Sequence, residues 1–211
     1  MAEITIKIGL GQDSQSDSKE ADSGGKASNP SACVILVPFD YNKPIDGKIK
    51  CIYCSTDPQA IKKAEEFSQK LNSPLEYKTK KLLYWDIGDL IDEPDSTKVA
   101  QLPFYIDWSP QEKVRDGESF NEFKKRFLGE LESIMEQAKK ENASILVVTH
   151  NDCCKLAYAW LEEKEENAES GKNDEFYTVD REEFLGTGFK DPLPIRIERD
   201  GSEWTCEELD E

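Results

Sequence analysis

The amino-acid sequence predicts an α/β fold, because strand-like and helix-like segments alternate along the chain. The segment 143–148 (ASILVV) is apolar throughout, which is typical of a central parallel strand that is buried on both faces. One helix is predicted immediately before this strand, over 119–140, and another immediately after it, over 151–163. Together these neighbouring segments predict a sheet that is covered by helices.

The helices are predicted from their start signals and their apolar faces. The segment 119–140 opens with a Ser-x-x-Glu capping box and carries apolar residues at helical spacing. A further helix is predicted over 57–71, where an Asp-Pro pair supplies a capping side chain and a proline at the first helical position. Both segments have the pattern of helices that pack one face against a sheet.

Four further segments are predicted to form strands, and a fifth is predicted to form a loop. Residues 3–9 (EITIKIG) alternate isoleucine with polar residues, and 32–39 (ACVILVPF) and 48–55 (KIKCIYCS) are mostly apolar. Near the C-terminus, 193–204 (LPIRIERDGSEW) alternates and contains an Asp-Gly turn. Residues 11–31 contain almost no apolar side chain, so we expect a flexible loop there.

The composition limits the classes of partner. The chain of 211 residues carries a formal net charge of −17, with acidic residues concentrated in 161–175 and at the C-terminus. Such a surface repels nucleic-acid phosphates and anionic lipids, so we expect neither nucleic acid nor membrane as a partner. No apolar run approaches the roughly 18 residues of a membrane span, and the first residues do not form a secretion signal, so a cytoplasmic protein is expected. The length fits one domain, over 1–211, with an acidic C-terminal region.

The six cysteines are expected to be free thiols, because intracellular chains of this length rarely depend on disulfides. A redox or metal-binding role for them is one alternative function. Cys153 opens a predicted helix, whose N-terminus lowers the pKa of a thiol. Cys51 and Cys54 lie on a predicted strand, where side chains three positions apart face opposite sides. Since a shared metal needs ligands on one side, we expect no metal and no cofactor.

His150 is the single histidine of the chain, and it lies between the predicted strand 143–148 and the following helix. In an open α/β sheet, ligands bind at the carboxyl ends of the parallel strands. A histidine at such an end donates hydrogen bonds to an anion with the help of the helix N-terminal amides, and Thr149 and Asn151 add donors. The alternative is that His150 only caps its loop.

Glu118 is the second candidate site residue, since it lies immediately before the long helix over 119–140. A carboxylic acid there donates a proton to a leaving group if burial raises its pKa. The alternative is a simple favourable interaction between the carboxylate and the dipole of the helix.

Four segments resemble, in the same order, motifs of the histidine phosphatase superfamily, which has the phosphoglycerate-mutase-like fold. They are IYCSTDPQAIKKAEEF (52–67), LLYWDIGDLID (82–92), GESFNEFKKR (117–126) and ILVVTHND (145–152). The first is similar to the family's Ser-Ser-Pro turn with its arginine-bearing helix, and the third to its Gly-Glu-Ser block. The resemblance implies a three-layer α/β/α fold with a central, mostly parallel sheet.

The resemblance also implies a chemistry that can be tested on this sequence. Members of the family attack phosphorus with a histidine of an Arg-His-Gly triplet that follows the first strand. A second histidine and two arginines hold the phosphoryl group, and an acid protonates the leaving oxygen. By resemblance, the second histidine is His150 and the acid is Glu118.

The nucleophile of that family has no counterpart in this chain. If the first predicted strand is the family's first strand, the triplet falls on residues 7–9, so that Lys7 replaces the arginine and Ile8 replaces the histidine. A different alignment, with the second predicted strand first, puts Pro38 and Phe39 at these positions. Neither alignment supplies a histidine, and a two-histidine mechanism cannot operate in a chain that has one.

Two further positions depart from the family pattern. The second arginine falls near Gln59, whose neutral amide cannot make a bidentate charged contact with phosphate, and the glutamate of the second block falls on Tyr84. The ligand-binding residues that remain as predictions are Lys7, Ser55, Glu118, Thr149, His150 and Asn151.

The leading functional hypothesis is therefore a pseudophosphatase, which has lost catalysis and serves as a binding or structural module. Its expected partner is a protein, with a phosphate-like anion as the other possibility. The first alternative is a divergent phosphatase that acts on a phosphomonoester through His150 and Glu118. The second alternative is the redox or metal-binding role of the cysteines.

Overall fold

The computed structural model describes residues 32–90, 109–113, 116–170, 179, 184, 194–200 and 203–209, and these contain a six-stranded sheet. Its strands are β1 (Cys33–Pro38), β2 (Ile49–Ser55), β3 (Leu75–Thr79), β4 (Ser144–Thr149), β5 (Ile195–Asp200) and β6 (Glu203–Glu208). They lie side by side in the order β3-β2-β4-β1-β5-β6.

The sheet is mostly parallel, as the sequence predicts. β1 and β2 both pair in parallel with β4, which lies between them, and β3 pairs in parallel with β2. β5 pairs antiparallel with β1, and β6 pairs antiparallel with β5. The four apolar residues Ile145, Leu146, Val147 and Val148 of β4 are completely buried, because this strand has a strand on each side and a helical layer on each face.

Three α-helices of the described residues pack on this sheet: α1 (Pro58–Leu71), α2 (Phe120–Glu141) and α3 (Asn151–Ser170). α1 packs on one face of the sheet through Ala60, Ala64 and Phe67. α2 and α3 pack on the opposite face, where Phe127 and Trp160 are among the largest buried side chains. The arrangement confirms the three-layer α/β/α fold.

The predicted start signals form in the structure. The Asp57 carboxylate accepts hydrogen bonds from the backbone nitrogens of the first turn of α1, at 2.8 and 3.3 Å. At the start of α2, Ser119 and Glu122 form the reciprocal capping box. Both helices are followed by an asparagine with positive φ, Asn72 at 50° and Asn142 at 46°, which ends the helix in the left-handed conformation.

The structure also adds to the predicted elements. β3 was not predicted, and two short 3-10 helices, Lys80–Leu82 and Gly88–Leu90, follow it. α3 continues to Ser170, seven residues beyond the predicted end. The predicted strand 3–9 and the predicted loop 11–31 lie outside the described residues. Among the helices of the described part, none is long and apolar enough to cross a membrane.

Candidate functional site

The candidate site lies where three neighbouring parallel strands end. β2 ends at Ser55, β4 at Thr149 and β1 at Pro38, so that the residues following them share one edge of the sheet. The backbone nitrogen of Phe39 donates to the carbonyl of Thr149 at 3.0 Å, which fixes the chain after β1 beside the chain after β4. This edge is the place where α/β proteins bind their ligands.

His150 is almost completely enclosed at this edge, with 6% of its surface exposed. Its Nε2 lies 3.1 Å from the Oγ of Ser55, which is itself fully buried. The rings of Phe39 and Tyr84 pack edge-on against the imidazole, with centroid distances of 5.4 and 5.0 Å. Two aromatic rings and one hydroxyl therefore contact the imidazole directly.

Burial lowers the pKa of His150 below the usual value of a histidine. The carboxylates of Asp152, Asp57 and Asp40 oppose this effect by favouring the imidazolium, and Arg126 adds to it. Because the lowering effects exceed the raising ones, the imidazole is neutral at pH 7, with one ring nitrogen that donates and one that accepts.

The residues on either side of His150 were predicted as hydrogen-bond donors to an anion. The Thr149 hydroxyl instead donates to the carbonyl of Leu82 at 2.7 Å, in a fully buried position. Asn151 begins α3 and is half-buried. Thus His150 and Ser55 are in contact, whereas the hydroxyl proton of Thr149 is used in a hydrogen bond to the main chain.

Glu118 forms an ion pair with Arg126 rather than a contact with His150. The carboxylate accepts from both Nε and a terminal nitrogen of Arg126, so the pair has the bidentate geometry typical of arginine and carboxylates. Glu118 also accepts from the backbone nitrogen of Asp86 at 3.1 Å. The carboxylate is therefore held by Arg126 and the main chain, and its role as an acid stays a prediction.

Arg126 holds the chain segment that follows β3. Besides Glu118, its guanidinium donates to four main-chain carbonyls at 2.8–3.2 Å. These carbonyls belong to Lys80, Lys81, Leu83 and Tyr84. The five N–H donors of an arginine are thereby occupied by the protein itself. Arg126, whose charge acts on His150, therefore has its donors engaged by Glu118 and the main chain.

The segment that carries Tyr84 is fixed at a second point. The backbone nitrogen of Trp85 donates to the Asp152 carboxylate at 2.6 Å, and the Trp85 indole donates to the carbonyl of Glu118 at 3.0 Å. Next to Glu118, Gly117 lies so close that an added Cβ would be 2.5 Å from the carbonyl oxygen of Asp86. The glycine is therefore required by this close approach of two backbones. These contacts hold the Tyr84 ring against His150.

Among the described residues, the position where the family's second arginine was expected does not join this cluster. Gln59 is exposed on the first turn of α1, where its backbone nitrogen donates to Asp57. Lys7 and Ile8 lie outside the described residues, so their roles stay predictions.

The cysteines do not form a reactive or metal-binding group in the described part of the chain. Cys51 belongs to the core on the α2 side of the sheet and Cys54 to the core on the α1 side, which confirms that they face opposite ways. The expectation that the helix N-terminus lowers the pKa of Cys153 is wrong. Complete burial raises that pKa well above the usual thiol value, and Asp152 raises it further. Within the described ranges, no group of His, Cys, Asp and Glu residues is arranged to hold a metal ion.

The sequence did not identify three residues that surround or act on His150. Phe39 entered only through the second alignment, and neither Asp40 nor Asp152 was singled out. One signal was available for them, because Phe39 ends a predicted strand, Asp40 follows it, and Asp152 lies two residues after His150. Positions at the carboxyl ends of parallel strands face the ligand edge of the sheet.

Comparisons with known proteins agree with this architecture. The Bacillus stearothermophilus protein YhfR is 17% identical over 82% of this chain and 94% of its own, with a TM-score of 0.53. A phosphoglycerate mutase from Bacillus anthracis str. Sterne is 15% identical over 86% and 94%, with a TM-score of 0.54. The mycobacterial glucosyl-3-phosphoglycerate phosphatase Rv2419c is 12% identical over 83% and 97%, with a TM-score of 0.55. At these identities the similarity shows a shared fold.

The family is identified by a comparison of the sequence with a family profile. No curated protein sequence matches significantly. The profile of the histidine phosphatase superfamily (branch 1) matches residues 45–175, which include β2, α1, β3, α2, β4 and α3. The match begins after β1, so β1 itself is not part of the matched region. Because the matched region spans more than half of the chain, the protein belongs to the histidine phosphatase superfamily (branch 1).

Proposed function

We propose that this protein is a catalytically inactive member of its superfamily that acts as a binding or structural module. The observation that carries the proposal is the packing of the Phe39 ring against His150, at 5.4 Å between ring centroids. β1 pairs with β4 up to Pro38 and Thr149, so the residue after β1 lies directly beside the residue after β4. By resemblance, that is where the nucleophilic histidine of the family stands, and a phenylalanine ring cannot attack phosphorus.

The composition supports the same proposal without any alignment. The whole sequence contains one histidine, whereas the family chemistry uses two. Ser55 is the hydroxyl that contacts His150, but it is fully buried, and a nucleophile must be reached by its substrate.

The charges around the site also oppose binding of a phosphoryl group. Asp40, Asp57 and Asp152 all act on His150 electrostatically, and Arg126 is occupied by Glu118 and by main-chain carbonyls. A phosphate monoester carries close to two negative charges at pH 7, so three carboxylates and a neutral imidazole repel it on balance. The family's two arginines, in contrast, supply charge-assisted hydrogen bonds to the developing charge.

A protein partner follows as the proposed ligand. The fold retains its capped helices and its buried three-layer core, so the scaffold is intact although its catalytic groups have changed. A phosphate-like anion is the second candidate ligand, because His150, Ser55 and the start of α3 still lie at the ligand edge of the sheet.

The experiment is turnover of para-nitrophenyl phosphate by the purified protein, measured against an active phosphatase of the same superfamily. We expect no release of nitrophenol above the level of a His150→Ala variant. Turnover by the wild type that disappears in both His150→Ala and Glu118→Gln would instead establish the divergent phosphatase, with these two residues as its machinery.

Ligand retention is measured separately by thermal unfolding in the presence of phosphate or orthovanadate. We expect no shift of the unfolding midpoint, because the site is acidic. A concentration-dependent increase that is lost in His150→Ala would assign the anion as the ligand, even in the absence of turnover.

A further inference from the structure

The charge of the chain is distributed very unevenly. Residues 42–81 contain nine lysines and five acidic residues, a net charge of +4, whereas the formal charge of the whole chain is −17. The remainder of the chain therefore carries −21. At physiological ionic strength, exposed charges are screened over about 8 Å, so a ligand close to residues 42–81 experiences the local positive charge more than the distant negative one.

This basic segment forms one side of the molecule. It contains β2, α1 and β3, and β3 is the outermost strand of the described sheet on that side. β3 pairs with β2 along one edge, while its other edge has no strand partner among the described residues. Such an edge presents backbone N–H and C=O groups that can pair with another extended chain.

The side chains of β3 make this edge a specific surface. Tyr77 is 52% exposed and is the one large hydrophobic residue that is exposed in the described part of the chain. Its ring packs on Tyr53 of the neighbouring strand at 5.7 Å, which holds it in a fixed position. An aromatic side chain with a polar tip in such a position is typical of protein interfaces.

Charged side chains flank this tyrosine in β3, with Glu76 before it and Lys78 after it. Lys78 of β3 is exposed and forms a loose ion pair with Glu65 of α1, with 3.5 Å between nitrogen and oxygen. Lys80 and Lys62 are exposed and have no carboxylate partner among the described residues. Lys80, which directly follows β3, therefore offers positive charge beside the loosely paired Lys78.

We propose that the free edge of β3 binds an acidic, extended segment of a partner protein, which adds to the sheet as a further strand. Main-chain hydrogen bonds to β3 hold the segment, its acidic side chains pair with the lysines, and one apolar side chain packs on Tyr77. This inference rests on the proposed role as a binding module and names the surface and the partner chemistry for it.

A second copy of the chain is a poorer occupant of the same edge. In a two-fold symmetric pairing, two segments that each carry a net charge of +4 would face each other and repel. An acidic segment removes this repulsion and supplies the opposite charge instead.

The test is a titration of the full-length, isotopically labelled protein with a capped peptide of four Glu-Thr repeats, followed by amide chemical shifts. The control peptide has four Glu-Pro repeats, which carry the same charge but lack half of the N–H donors of a strand. We expect the Glu-Thr peptide to shift the amides of β3 and to bind at least ten-fold more tightly than the control. Equal binding of both peptides, or no binding at millimolar concentration, would overturn strand addition.

Two double variants with equal net charge locate the surface. Lys78→Glu with Lys80→Glu removes two lysines at the β3 edge, and Lys43→Glu with Lys48→Glu removes two exposed lysines from the loop before β2. We expect a loss of affinity of at least ten-fold for the first variant and less than two-fold for the second. Similar losses in both would show a general charge effect and would contradict the proposal.

Molar mass by light scattering distinguishes the other occupants. A mass that rises with protein concentration in the wild type and not in the Lys78→Glu, Lys80→Glu variant would assign this edge to a second copy and overturn the proposal. Binding of a single-stranded RNA with the same affinity as the Glu-Thr peptide would do so as well. Phosphatase turnover is measured independently, so its result bears on the proposed loss of catalysis and not on this surface.

Discussion

The Oγ of Ser55 and the Nε2 of His150 lie 3.1 Å apart and join the carboxyl ends of β2 and β4 by a buried hydrogen bond. The same Ser55 oxygen accepts from the backbone nitrogen of Asp57, the residue that caps α1, at 3.3 Å. The Ser55 hydroxyl therefore connects His150, which precedes α3, to the start of α1. The two helices pack on opposite faces of the sheet. In this protein the site histidine is part of the internal hydrogen bonding of the fold.

The first prediction concerns this hydrogen bond. Ser55→Ala leaves the His150 ring nitrogen buried without its partner, so we expect the free energy of unfolding to fall by about 1–3 kcal/mol. The measurement is urea denaturation of the wild type, Ser55→Ala, His150→Phe and the double variant. If the two residues are coupled, Ser55→Ala costs clearly less in the His150→Phe background. Equal costs in both backgrounds would mean that the bond does not contribute to stability.

The second prediction concerns the pH dependence of stability. Burial lowers the pKa of His150 in the folded state, whereas in the unfolded chain the group titrates near the usual value of about 6.5. As the pH falls, the unfolded chain takes up this proton first. The stabilisation by the neutral imidazole is therefore complete above about pH 6.5 and is lost as the pH falls through the folded pKa.

His150→Gln lacks this titration and serves as the reference, because all other groups titrate in both proteins. We expect the stability of the wild type, relative to His150→Gln, to decrease by about 1 kcal/mol between pH 7 and pH 5. Chemical denaturation at several pH values measures the difference. A relative stability that stays constant or increases on acidification would show that the pKa of His150 is not lowered by folding.

The sequence predicted the elements whose signals are local. The N-caps and apolar stripes of α1 and α2 and the apolar run of β4 are properties of neighbouring residues, and the structure confirms them. β3 was missed because Leu75–Thr79 (LEYKT) is short and mostly polar. An edge strand has one neighbour and exposed side chains, so it does not need the apolar pattern that identifies a central strand.

The site was predicted in part for a related reason. His150 and Ser55 each end a predicted strand, and their meeting follows from the parallel order of β2 and β4. The pairing of Glu118 with Arg126 was not predicted, although both lie in one motif eight residues apart. Spacing along a helix shows that two side chains are close, but it does not show which of several nearby groups each will bind.

The third prediction concerns the guanidinium of Arg126. Arg126→Ala removes the partner of Glu118, whose side chain is 17% exposed, and releases the carbonyls of the segment after β3. We expect a loss of about 3 kcal/mol in the free energy of unfolding, because a partly buried carboxylate loses its counter-ion. Arg126→Lys is expected to recover less than half of this loss, since a lysine cannot reproduce the planar array of donors.

The matched control for Arg126 is Lys125→Ala, which removes an exposed cation from the neighbouring position of the same helix. We expect its stability to lie within about 0.5 kcal/mol of the wild type. Urea denaturation of the three variants measures these differences. If Arg126→Ala were no less stable than Lys125→Ala, the contacts of the guanidinium would not hold the segment that carries Tyr84.

The fourth prediction concerns the reactivity of the cysteines. All six are free thiols, and five are buried: Cys33, Cys51, Cys54, Cys153 and Cys154. Burial raises the pKa of Cys33 and Cys51 to about 12 and that of Cys54 to about 11, so that little thiolate is present at pH 8. Cys206 is partly exposed.

We therefore expect iodoacetamide to label Cys206 rapidly in the native protein and the other five thiols only after denaturation. Mass spectrometry of the intact protein counts the labels, and Cys206→Ser serves as the control that should remain unlabelled for the same time. Rapid labelling of Cys153 in the native protein would reverse this picture. It would mean that the thiol at the start of α3 is accessible and ionised, and it would favour the redox function over the binding module.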